Sequence, residues 1–162
     1  MSPSGTFTMD MFSDAKMDYH LERLDISNIN VTVNYRGYLV AKTTGTYTIE
    51  MSGIDDIALF WYGAKAYSGW TRRNAGLVVA FNAPRIVKGT GQLSFDLTEG
   101  QYTPIRVIFA NADGPEGFQI RILDPSGTAV FGPGISNDKF AVQYGCAVTN
   151  KAPAFPAFGS ET

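Results

Sequence analysis

One cysteine and one histidine are the scarcest resources in this chain, and their scarcity removes several chemistries at once. Cys146 has no second thiol to pair with inside the chain, so an internal disulfide and a zinc site built on several thiolates are both excluded. His20 stands alone in a weakly patterned N-terminal stretch, which gives a Ser-His-Asp or Cys-His nucleophile little support. No basic block occurs, and thirteen basic residues against fifteen acidic ones leave a formal charge of −2. Nucleic acid and an anionic membrane are therefore not expected as partners. No apolar run approaches the length of a membrane span. The first residues lack a charged-then-apolar signal pattern, a feature that leaves localisation open.

What is present points to one β-rich domain. The chain has 162 residues, 44% of them hydrophobic and 13% aromatic, enough for a proper core and too apolar for a disordered body. Tyr35 to Val40 is aromatic and β-branched, and Gly45 to Ser52 alternates with period two. Ile57 to Tyr62 and Leu77 to Phe81 read as buried strands. Leu93, Phe95 and Leu97, then Ile105, Val107 and Phe109, then Phe118, Ile120 and Ile122 continue the alternation. Turn chemistry separates these runs at Thr44-Gly45, Lys88-Gly89-Thr90-Gly91, Glu99-Gly100 and Asp124-Pro125-Ser126-Gly127. The spacing predicts an all-β, antiparallel two-sheet sandwich over residues 1–150, with at most a short helix around Asp14 to Leu24. Residues 151–162, KAPAFPAFGSET, read as a linker or an arm laid on the surface.

The unusual feature is Asp55-Asp56, two adjacent carboxylates at the entry to the apolar run Ile57 to Tyr62. Successive side chains of an extended strand face opposite ways. For both carboxylates to serve one site the backbone must bend sharply, and a cis peptide between them would do it. A hard cation with oxygen ligands is the natural guest. Two carboxylates alone are too few oxygens for calcium, and Asp-Asp at a strand mouth is ordinarily a solvated turn. A glycosidase reading fits poorly, because its two carboxyl groups must flank a bond about 5–10 Å apart. We therefore expect no enzyme.

The ordered landmarks carry more. Tyr35-Arg36-Gly37-Tyr38-Leu39 precedes Thr44-Gly45-Thr46-Tyr47-Thr48, then Gly53-Ile54-Asp55-Asp56, Leu59-Phe60-Trp61-Tyr62-Gly63 and Ala66-Tyr67-Ser68-Gly69-Trp70. Gly100-Gln101-Tyr102-Thr103-Pro104-Ile105-Arg106, Phe109-Ala110-Asn111-Ala112 and Asp124-Pro125-Ser126-Gly127 follow. From about Val31 to Cys146 this order resembles the GLEYA-type adhesin domain of fungi. That family is related to flocculins and epithelial adhesins within the β-sandwich superfamily named after anthrax protective antigen. The resemblance implies a sandwich with long ligand-binding loops at one end, and many such domains are calcium-dependent lectins. It implies that Asp55 and Asp56, joined by a cis peptide, bind the ion. It also implies that the Asn111 side chain and the carbonyls of Asp113 and Pro115 complete the protein ligands, with sugar hydroxyls in the open positions.

The resemblance further implies a calcium-dependent carbohydrate-binding domain of a secreted or cell-wall adhesin, with cell-surface glycans as partners. Asp55, Asp56, Asn111, Gly114 and Glu116 would then line the ligand, and Trp70 in its polar loop could stack on a sugar. Each has a plainer alternative. Asn111 can cap a glycine-rich turn, Glu116 can be a solvated charge, and Trp70 can pack its own loop. The second loop, Asp113-Gly114-Pro115-Glu116-Gly117, has no aromatic where flocculin-like domains often place one, which leaves the sugar unspecified. The alternative function is a structural or protein-interaction module in which calcium only rigidifies the loops. Asn30-Val31-Thr32 is an N-glycosylation sequon, relevant if the protein is secreted.

Overall fold

A computed structural model describes residues 31–112, 117–136, 139–142 and 152–156. Among these residues nine strands form two antiparallel sheets, as the alternation predicts. They are β1 (Val31–Val40), β2 (Gly45–Asp55), β3 (Ile57–Tyr62), β4 (Leu77–Ala80), β5 (Gly89–Leu97), β6 (Tyr102–Asn111), β7 (Gly117–Leu123), β8 (Ala129–Phe131) and β9 (Ala141–Val142). One sheet runs β4-β3-β6-β1-β9 and the other β5-β2-β7-β8. The expected helix at Asp14 to Leu24, the sequon's Asn30, His20 and Cys146 lie outside the described residues.

The sandwich interior is filled by the alternating residues of both sheets. Val33, Tyr35 and Leu39 of β1, Ala58 and Phe60 of β3, and Ile105, Val107 and Phe109 of β6 face Tyr47, Ile49, Met51, Phe95, Ile120 and Ile122. Aromatic pairs lock the layers, among them Phe109 and Phe118 with ring centroids 4.7 Å apart.

Two features depart from the simple reading. Lys88-Gly89-Thr90-Gly91 reads as a turn, yet Gly89 and Gly91 lie within β5. Here β5 passes so close to β4 that a Cβ on Gly89 would fall 2.5 Å from the Ala80 carbonyl oxygen. The glycines are there for that approach rather than for a turn. The second departure is a β-bulge. Met51 and Ile54 pair with Gly91 and Gly89, and Ser52 and Asp55 pair with Gln119 and Gly117. In both ladders β2 carries one residue more than its partner, and Gly53, with φ of 66°, supplies it.

The outer face of the β4-β3-β6-β1-β9 sheet is covered by a second layer. Leu59 and Trp61 of β3 bury against Ala66 of the short helix α1 (Ala64–Tyr67), with Trp70 and Ile108 packed alongside. The Trp61 indole N–H donates to Thr71 O (3.0 Å) and Asn74 Oδ1 (2.9 Å), while Asn74 Nδ2 donates to Gly69 O (2.8 Å). Those bonds pin the loop over the strand. Arg106, with no exposed surface, donates from Nε to Ala66 O and from Nη1 to Asn34 Oδ1, both at 2.9 Å. Its guanidinium lies 4.7 Å from the Trp70 ring centre, satisfying a buried cation with carbonyl, amide and π-face.

Candidate functional site

Three connections cross between the sheets at the same end of the sandwich. The first joins β2 to β3 through Asp55 and Asp56. The second leads from the end of β6, at Asn111, to the start of β7 at Gly117. The third runs from β4 to β5 through residues 81–88. A sandwich must cross somewhere, and the register places these three crossings side by side.

The bulge at Gly53 sets up the first crossing. Tyr47, Ile49 and Met51 face the core, so uninterrupted alternation would send Gly53 and Asp55 inward. The extra residue reverses the parity. Ile54 becomes fully buried, and Asp55, paired with Gly117, is left half-buried at the rim. The Asp55-Asp56 peptide is cis, as the resemblance implied.

Asp56 ties the crossings together. Its Oδ2 accepts a hydrogen bond from the Ala112 N–H of the second crossing. Its carbonyl accepts one from the Phe81 N–H of the third (2.6 Å). On the other side, Lys88 Nζ lies 3.5 Å from Asp55 Oδ2, an ion pair half-open to water. Each end of the second loop is thus anchored to one member of the aspartate pair, Ala112 to Asp56 and Gly117 to Asp55.

Asn111 closes β6, with its neighbour Ala110 paired to Ile57, the first residue after Asp56. Only 2% of Asn111 is exposed. The residue makes other contacts, but its Oδ1 is buried and receives no hydrogen bond among the described residues. A buried amide oxygen beside two carboxylates is a hard-donor arrangement that fits calcium. Among the described residues no group of three or more His, Cys, Asp or Glu is placed to hold a metal ion, so the two aspartates are the only acidic donors assembled there among them. Asp113, Gly114, Pro115 and Glu116, expected as further ligands or pocket residues, lie outside the described residues.

Trp70 is not brought to this site. It sits beside Trp61, ring centroids 5.8 Å apart, on the outer face near the far end of β3. Trp61 stands five residue steps along the extended chain from Asp56, roughly 16 Å. Trp70 packs its own loop against Arg106, the plainer of its two expected roles. The sequence reading places Lys88 in a turn and gives neither it nor the third crossing a part in the site. The signal for both is the glycine pair Gly89 and Gly91, which marks a close approach rather than a turn.

Comparison with known proteins agrees with the fold. The family model described as GLEYA domain matches residues 31–124. The flocculation protein FLO10 of Saccharomyces cerevisiae is 28% identical over 139 residues, covering 76% of this chain and 12% of FLO10. The Schizosaccharomyces pombe protein pfl4, named as a candidate cell agglutination protein, is 29% identical over 96 residues, 59% of this chain and 16% of pfl4. The chain therefore spans only a small part of the curated relatives it matches. Among solved structures, the epithelial adhesin 9 A domain of Candida glabrata in complex with Galβ1-4GlcNAc has a TM-score of 0.55 at 25% identity. That match covers 67% of this chain and 52% of the adhesin domain.

Proposed function

Because the chain belongs to the GLEYA domain family, we propose that it is the glycan-binding module of a fungal cell-surface adhesin, holding sugar hydroxyls at a calcium site on Asp55, Asp56 and Asn111. The observation that carries this reading is the convergence of those three residues where two sheet crossings lie side by side. The epithelial adhesin structures bound to Galβ1-4GlcNAc and Galβ1-3GlcNAc support a glycan as the ligand.

The protein's part in binding is to preorganise oxygens. Asp55 and Asp56 supply negative charge, Asn111 Oδ1 supplies a neutral donor, and the carbonyls of Asp113 and Pro115 would add to the set. Calcium supplies coordination positions that vicinal hydroxyls can fill. A cation makes sense here because hydrogen bonds to neutral hydroxyls contribute little net energy in water, about 1 kcal/mol each. The Ala112 N–H on Asp56 holds the second loop near the first before any ligand arrives. Gly114 and Glu116 would border the sugar, with Glu116 as acceptor.

A glycan array run in about millimolar calcium, and again with EDTA, tests the reading. Calcium-dependent signals, strongest on galactose-terminated disaccharides and absent for Asp56→Ala, are expected. A blank array from folded protein in both conditions would overturn it in favour of a structural or protein-docking module.

A further inference from the structure

The outer face of the β4-β3-β6-β1-β9 sheet holds a groove that is already occupied. Residues 152–156, Ala-Pro-Ala-Phe-Pro, lie across β1, and Phe155 is 8% exposed. Its ring sits between Tyr67 (centroids 4.9 Å) and Tyr38 (5.4 Å). The guanidinium groups of Arg36 and Arg106 stand 5.7 and 6.0 Å from the ring centre. The backbone is read as well. Arg36 Nη1 donates to Pro156 O (3.2 Å), and Tyr38 OH donates to Ala154 O (3.4 Å). The Tyr38 hydroxyl also lies 2.9 Å from that of Tyr67, so the two phenols form one hydrogen-bonded wall.

We propose that this groove is a peptide-binding site whose ligand is the chain's own Ala154-Phe155-Pro156 segment. Everything the groove offers suits a proline-flanked aromatic in an extended chain. Pro153 and Pro156 have fixed φ, and the residues before them, Ala152 and Phe155, are biased to extended backbone. Such a segment loses little conformational freedom on docking. A deep aromatic slot takes the side chain, while a cation and a phenol take the carbonyls on either side of it. Proline-rich ligands are recognised by the same division of labour, aromatic walls for shape and side-chain donors for carbonyls. The site is independent of the aspartate pair. It uses the outward residues Arg36 and Tyr38 of β1 and Arg106 of β6, so its occupancy does not depend on calcium or glycan.

The test uses the full chain with Phe155→Ala and a synthetic peptide of residues 152–158 added in trans, followed by calorimetry. The tethered arm competes at an effective concentration in the millimolar range. The peptide is therefore expected to bind the variant at least about tenfold more tightly than it binds the unmodified chain. The same peptide with Phe155→Ala should bind neither. Equal affinity for both chains, or no binding to the folded variant, overturns the proposal. Should the variant fail to fold, Pro153→Gly with Pro156→Gly keeps the ring contacts while making docking costlier, and it must also bind the peptide more tightly than the unmodified chain. Nuclear Overhauser contacts between Phe155 and the Tyr38 and Tyr67 rings in the unmodified chain are required in any case, and their absence overturns the proposal.

Discussion

Asp56 has two jobs whose consequences separate. Its side chain accepts the Ala112 N–H, and it is one of the two charges of the proposed calcium site. Asp56→Ala should cost about 1–2 kcal/mol of stability for the lost charge-assisted bond. It should also abolish any calcium-dependent rise in melting temperature, a loss that a mere hydrogen-bond role would not produce. Arg106 is the contrasting case, a charge with no part in the proposed calcium site, which pins the outer layer and stands beside the arm's groove. Arg106→Met keeps the apolar stem but strips donors from Ala66 O and Asn34 Oδ1. We expect a loss of about 2–4 kcal/mol in denaturant unfolding, with glycan binding retained by whatever protein folds. In the sequence Asp56 is marked by its neighbour Asp55, whereas nothing local marks the work of Arg106. What separates them is burial, which the alternation of β6 hints at only by placing Arg106 on the face opposite Ile105 and Val107.

Among the elements, β2 decides where the site faces. Gly53 sits at φ 66° with nothing within 4 Å of a built Cβ, so a side chain there meets backbone strain rather than a clash. Gly53→Ala should destabilise by about 1 kcal/mol, and it should weaken calcium binding more than distant surface changes of equal cost, because the bulge aims Asp55. The turn between β7 and β8 offers a pH-dependent test. Asp124 accepts hydrogen bonds from the Ser126 hydroxyl (2.6 Å) and from the Ser126 and Thr128 N–H groups, both at 2.9 Å. The Ser126 hydroxyl above all, with the turn's N–H groups, holds its carboxyl below the usual carboxylate range. A folded-state pKa below the unfolded one gives stability that is present above the unfolded value and lost as pH falls through the folded value. Asp124→Asn should therefore be less stable than the unmodified chain near neutrality. The gap should close in acid, as thermal melts across the carboxylate range would read.

For the whole molecule, ligand linkage is the informative measurement. An ion that binds only the folded state adds about 2.7 kcal/mol at a hundred times its dissociation constant. In a domain of this size that raises the melting temperature by about 5–10 °C. Melting in calcium against EDTA should show such a rise for the unmodified chain. It should be absent in Asp55→Asn with Asp56→Asn, while the Phe155→Ala chain should show it in full. The last comparison separates the two proposed sites, since the arm's groove lies on the outer face of one sheet and the aspartates at the crossing end.

Strand identity is local enough to be legible. Ile57 to Tyr62 stands out as a short apolar run that matches β3 to the residue, and β2, β5, β6 and β7 follow from alternation, because burying one face of a pleated sheet dictates period two. The short pieces Ala129–Phe131 and Ala141–Val142 are too brief to show a period and are not legible in the sequence. The aspartate pair announced itself by being two charges before an apolar run. What no local pattern could decide was company. That Lys88 meets Asp55, that Asn111 lies next to the pair, and that Phe155 folds back over Arg36 and Tyr38 are contacts between residues 33 to 119 positions apart. Such contacts exist only because two sheets stack, and stacking brings together whatever the crossings and the outer faces happen to carry. The sequence by itself determined the strands and the charged pair and, through its resemblance, pointed to Asn111, while the tertiary structure alone decided that Lys88 and the arm stand where they do.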